Sequence, residues 1–165
     1  MILAIDDWRF EVDITATMEY SAKEAAEHCD CAYCRNFYAT VDSTYPELRP
    51  FLAQFGVDIE APEELMPFDA TLYLACYCVN GRILSYGKPL IHAGDVKIMP
   101  ETAQDAMINT GLRAPYFVIS AGPFQLPWIL DEPMVDVISP ANEPSFLKKM
   151  WERLLGKNKK NIPYS

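Results

Sequence analysis

Thr71-Leu72-Tyr73-Leu74-Ala75-Cys76-Tyr77-Cys78-Val79-Asn80-Gly81-Arg82-Ile83-Leu84-Ser85-Tyr86 is the stretch on which the fold turns. Successive side chains of a strand point to opposite faces. Before Asn80 this places Leu72, Leu74, Cys76 and Cys78 on one face and Tyr73, Ala75, Tyr77 and Val79 on the other. Both sets are largely apolar, as in a strand covered on both sides. Asn80-Gly81 is the dipeptide that most readily supplies the two positive φ angles of a type I′ turn, so the spacing predicts a hairpin with strands at 71–79 and 82–86. Cys76 and Cys78 read as buried structural thiols, because free cysteine packs as a small, nearly apolar side chain.

Downstream, strand signals recur at 90–92, 96–99, 116–121 and 135–139, separated by Gly87-Lys88-Pro89, Gly94-Asp95, Gly122-Pro123 and Asp131-Glu132-Pro133. Upstream, Trp8, Phe10, Val12, Ile14, Ala16 and Met18 alternate with polar residues, which predicts a half-buried strand over 8–19. Ser21 with Glu24 has capping-box spacing and opens a short helix over 23–28. Residues 35–41 continue as helix, and 46–55 form a third helical piece, opened by Pro46 and stopped by Gly56. Residues 57–69, with Pro62 and Pro67, read as an acidic loop, and 101–115 fit either a short helix or a loop. Phe146, Leu147, Met150, Trp151, Leu154 and Leu155 recur at helical spacing, with Lys148, Lys149, Glu152 and Arg153 opposite them. The expected architecture is α+β: an antiparallel sheet or sandwich-like β core with a helical insertion near the N-terminus and a C-terminal amphipathic helix. Residues 1–156 form a single domain in this reading, and 157–165 a basic C-terminal tail.

Half of the 165 residues are hydrophobic, enough apolar area for a packed core without disulfides. Lys and Arg number 14 against 23 Asp and Glu, a net charge of −9. The charge is segregated: residues 1–144 carry 8 basic and 22 acidic side chains, residues 145–165 carry 6 and 1. Phosphate-backbone binding runs on Lys and Arg displacing counterions, so no nucleic acid partner is expected. The helix Phe146 to Leu155 is expected to dock on the acidic body, with a protein partner, a second copy or an anionic membrane as alternatives. No transmembrane segment is expected, and Asp6 and Asp7 stand where an export signal would be apolar, so the expected location is cytoplasmic.

The chemistry-bearing residues gather in His28-Cys29-Asp30-Cys31-Ala32-Tyr33-Cys34. Thiolates are soft ligands that zinc favours, and a closed tetrahedral site takes four donors from Cys and His. Cys31 and Cys34 have the C-x-x-C spacing that lets two sulfurs meet one ion; Cys29 supplies a third and His28 the nearest fourth donor, with His92, Cys76 and Cys78 as alternatives. The leading expectation is therefore a non-enzymatic binding or accessory protein whose helical insertion is held by a zinc site of Cys29, Cys31, Cys34 and His28. A second reading makes Cys31 and Cys34 a dithiol-disulfide oxidoreductase pair, with Asp30 capping a helix whose N-terminus favours the thiolate. A third is an interaction module whose cysteines are only packed.

Other constellations carry less. Ser85, His92 and Asp95 could be assembled as a nucleophile, base and acid, but without a nucleophile elbow. Glycine loops for phosphate and the helical zinc-protease motif are absent, and Glu60, Glu63, Glu64 and Asp69 lack the spacing of a calcium loop. Trp128, between Pro127 and Ile129 and near Asp131 and Glu132, reads as a core residue with its N–H paired to backbone.

Cys31-Ala32-Tyr33-Cys34-Arg35-Asn36-Phe37, then Gly56-Val57-Asp58 and Ala61-Pro62-Glu63-Glu64, and later Leu126-Pro127-Trp128-Ile129-Leu130-Asp131-Glu132, resemble a family of small bacterial cytoplasmic proteins without an assigned activity. The resemblance runs from about Glu27 to Glu132 and leaves the C-terminal helix outside. It implies a bacterial, intracellular, single-domain protein and transfers no catalytic residue or cofactor.

Overall fold

The computed structural model describes residues 1–106, 108–134 and Glu152. The strand expected over 135–139, the helix Phe146 to Leu155 and the tail 157–165 lie outside the described residues, Glu152 apart. The elements in chain order are β1 (Ile2–Ile5), β2 (Trp8–Val12), α1 (Ile14–Ala26), α2 (Ala32–Thr44), α3 (Leu48–Ala53), β3 (Glu64–Pro67), β4 (Leu72–Ser85), β5 (Ile91–Ala93), β6 (Val96–Thr102), α4 (Ala103–Ala106) and β7 (Tyr116–Gln125). The seven strands of the described residues form one antiparallel sheet in the order β1-β2-β4-β7-β6-β5, with β3 also paired to β4. Helices α1, α2 and α3 lie in sequence between β2 and β3, so the architecture is α+β.

The decisive stretch is one strand, not a hairpin. β4 runs through Asn80-Gly81 without turning. Its first part pairs with β7 and β3, and Gly81 to Ser85 pair with β2. A type I′ turn would pair the two halves with each other; here each half finds a different partner. Gly81 serves close approach instead. At φ +150° its position would put a Cβ 2.0 Å from the Glu11 carbonyl oxygen, so only glycine lets β2 and β4 come together. The Asn80 backbone is taken up by the start of α1: its carbonyl accepts from Asp13 N (2.9 Å), and its N–H donates to Thr17 Oγ1 (3.1 Å).

The strand expected over 8–19 ends at Val12. Asp13 turns the chain as an N-cap, its side chain accepting from Ala16 N at 3.0 Å, and α1 follows. The alternation misled because Ala16 and Met18 continue the period of two by coincidence; Met18 is exposed, and the buried positions of α1 are Thr17 and Ser21, four apart. Ser21 is therefore inside α1 and caps nothing. Its hydroxyl accepts from Asp58 N at 2.8 Å.

Two further expectations shift. The 57–69 loop contains β3, placed along β4. Gly122-Pro123 sits inside β7 opposite a register shift at Tyr73/Ala75, a bulge rather than a chain turn. Gly94-Asp95 does join two strands as a tight hairpin, with Ala93 opposite Val96.

The two faces of β4 are covered as the alternation requires. Tyr73, Ala75, Tyr77 and Val79 enter the main core with Phe10, Phe37, Phe55, Phe117 and Phe124, while Leu74, Cys76 and Cys78 pack with Met99, Ile108 and Val118. The aromatic rings interlock, Phe10 lying 5.3 Å from Phe55 and 5.2 Å from Phe117 between centroids, within the range where such pairs attract.

Candidate metal centre

The cysteine cluster occupies the link between α1 and α2. α1 stops at its C-cap Glu27, and α2 starts from Cys31 as N-cap, its carbonyl accepting from Arg35 N at 3.0 Å. Asp30 is not the cap that the sequence suggested. Cys29 thus lies in the link, Cys31 at the cap and Cys34 at the third helical position. An N-cap side chain and the third helical residue meet over the first turn, which brings C-x-x-C sulfurs together.

The three sulfurs all lie within 4.8 Å of one another. Cys29 and Cys31 are exposed and Cys34 is buried; all are free thiols. Among the described residues this is the one group of three or more Cys, His, Asp or Glu donors that converges. Glu60, Glu63, Glu64 and Asp69 form no such group. Tetrahedral zinc, with bonds of about 2.3 Å to sulfur, needs sulfurs about 3.8 Å apart. No pair of these sulfurs stands more than about 1 Å outside that spacing.

The sulfurs open into a cleft of about 290 Å³, also lined by Glu24, Glu27, His28, Tyr38, Glu63 and Leu65. His28 shares the cleft, but its ring stacks on Tyr38, with centroids 4.4 Å apart and planes within 9°. The thiols differ electrically. Part-burial pushes the Cys31 thiol up, but the Cys34 backbone N–H, the Cys29 and Cys34 side chains and the Tyr33 backbone N–H outweigh it, and the net shift is down. Burial pushes the Cys34 thiol up, and hydrogen bonding to Cys31 and Cys29 and their charge add to it. Tyr38, one turn beyond Cys34, also has its phenol raised by burial and by the charge and hydrogen bond of Cys34. The arrangement can hold a soft metal ion, whose charge would draw the thiols into their thiolate form.

Sequence reasoning gave Asn36 and Arg35 no role, yet they set this site in the fold, and the N–H of Trp128 pairs with backbone as expected. Asn36, fully buried, donates to Pro127 O (3.0 Å) and Tyr73 Oη (3.3 Å) and accepts from Ile129 N (2.9 Å). Arg35 joins the Asp30 carbonyl in the cysteine link to the Glu132 carboxylate. Trp128 packs edge-on against Tyr33, and its N–H donates to the Glu132 carbonyl. The two motifs of the resemblance are therefore partners in space, one holding the other. The spacing Cys34, Tyr38 was a readable signal for Tyr38; nothing local pointed from Asn36 to residues 127–129.

The remaining candidates stay apart. Ser85 ends β4 and His92 lies on β5, separated in the sheet by β7 and β6, so no triplet forms. Cys76 and Cys78 are buried on β4, where burial pushes both thiols up, Cys76 to about 12. Among the described residues no helix is long and apolar enough to cross a membrane, and nothing indicates nucleic acid binding. In comparison with known proteins, no family model, curated protein or solved structure matches the chain.

Proposed function

We propose that the protein is a non-enzymatic binding or accessory protein in which Cys29, Cys31 and Cys34 hold a zinc ion, with His28 as the fourth donor, and that the ion fixes the α1–α2 link. The convergence of three thiols within 4.8 Å carries this reading. Purely packed cysteines fit Cys76 and Cys78 but not Cys29 and Cys31, which face solvent. Such a site contributes folding free energy directly, because the unfolded chain lacks a preformed ligand set. Protein purified without chelator should contain zinc near one equivalent. Cys31→Ser should lose the metal and lower the melting temperature, and His28→Ala should weaken binding without abolishing it. A trace metal content, together with an unchanged melting temperature for Cys31→Ser, sinks the proposal.

The dithiol reading has one observation in its favour: an exposed Cys31 at a helix cap with its thiol shifted down, beside a buried Cys34 shifted up. An attacking and a resolving thiol differ in this way. Against it stands the all-antiparallel pairing of the described strands, which offers no βαβ unit around the motif. Turnover in an insulin-reduction assay that depends on Cys31 would reverse the order of the two.

A further inference from the structure

The three thiols have unequal access. Cys31 faces solvent in the cleft at the α2 cap, whereas Cys34 lies beneath it in the first turn and is buried. Cys29 lies in the link with its sulfur 3.5 Å from the Cys31 backbone N–H. A soluble oxidant therefore meets Cys31 before Cys34. Once Cys31 is oxidised, two sulfurs stand within 4.8 Å of it. A Cys29–Cys31 bridge would span a single residue and close a tight ring. The cap and third-position sulfurs are joined across the helical turn that already brings them together.

We propose that Cys31 is a modification site for hydroperoxides, and that its oxidation closes a disulfide onto Cys34 and expels the metal. This rests on the metal reading above, since the same sulfurs cannot be both bridged to each other and thiolate ligands. The Cys31 sulfur attacks the peroxide oxygen, the O–O bond breaks, and the alcohol leaves with a proton from water, giving a sulfenic acid. The Cys34 thiolate sulfur then attacks the Cys31 sulfur; the S–S bond forms, the S–O bond breaks, and the departing hydroxide takes a proton from solvent to leave as water. Two electrons pass from the thiols to the peroxide. The ion, left with Cys29 as its one thiolate, goes to solvent as the dication.

The experiment treats zinc-loaded full-length protein with tert-butyl hydroperoxide, reads released zinc with a chromophoric chelator and maps disulfides by mass spectrometry. Zinc should appear in step with a Cys31–Cys34 disulfide and rebind after reduction, while Cys76 and Cys78 stay unmodified. In Cys34→Ser, a sulfenic acid should accumulate at Cys31, trapped by a cyclic 1,3-dione, with no disulfide. Retained zinc with intact thiols, a disulfide that uses Cys29, or direct passage to sulfinic acid overturns the proposal. Protein that never takes up zinc defeats the metal reading and the expulsion step with it; the peptide map of the same sample reports separately whether the pair closes.

Discussion

Gly81 shows how one residue decides a strand connection. An alanine there needs φ near +150° and places its Cβ within 2.0 Å of the Glu11 oxygen, a backbone atom that cannot move aside without separating β2 from β4. Gly81→Ala should therefore cost about 3 kcal/mol or more, the range of substitutions that strain the backbone in a packed region. Urea denaturation measures it. An unchanged midpoint would mean that the two strands do not approach as described. A true type I′ turn would behave differently, because its glycine is needed for conformation alone and faces solvent. Cys31 is decided at the same scale. Its place at the α2 cap, rather than the C-x-x-C spacing alone, makes it the accessible member of the pair.

At the scale of elements, two contacts fix where α1 and α2 begin and what they hold. Asp13 ends β2 and caps α1, so Asp13→Ala should lower stability by about 1 kcal/mol through the lost bond to Ala16 N. If residues 8–19 were strand, the same change at an exposed position would be nearly silent, and thermal melts separate the two. Asn36, buried on α2, makes two hydrogen bonds to residues 127–129 and a third to Tyr73. Asn36→Ala leaves the Ile129 N–H and the Pro127 carbonyl without these partners, at a cost of about 2–3 kcal/mol. Hydrogen exchange at Ile129 should accelerate more than exchange along β4. Uniform acceleration, or none, would show that Asn36 does not hold this segment.

At the scale of the molecule, four tyrosines among the described residues, Tyr20, Tyr38, Tyr73 and Tyr77, have their phenols shifted up. Burial is the main cause at each, and Glu63 adds to it at Tyr20 and Cys34 at Tyr38. Tyr73 reaches about 12 from an ordinary value of 10.0. Below 10.0 both folded and unfolded chains keep these protons, and the contribution to stability is fully present. As pH rises past 10.0 the unfolded chain releases them first, and stability falls through the folded values. Alkaline unfolding should therefore be cooperative and lie above pH 10, with the last part of the phenolate absorbance rising together with the loss of circular dichroism. Titration of all nine phenols of the chain at the ordinary value with the fold intact would contradict this.

Local spacing was enough to read an α+β chain, the two buried faces of the strand before Asn80, the tight turn at Gly94-Asp95 and a cysteine cluster at a helix start. Each of these depends on side chains within a few residues of one another, where the periods of strand and helix act. Tertiary structure alone decided the rest. Asn80-Gly81 is equally compatible with a turn and with a straight strand until β2 and β7 arrive as partners for its two halves. The alternation through residues 8–19 satisfies a strand, but the Asp13 N–H bond to Asn80, far along the chain, starts a helix there. The site follows the same division. Three cysteines in six residues could be seen to cluster, whereas the cleft over them required residues 62–67 to pack against α1 and α2, and the clasp of Arg35 and Asn36 on residues 127–132 joins segments nearly a hundred residues apart. Burial and long-range hydrogen bonds are properties of the assembled chain, and no window of sequence contains them.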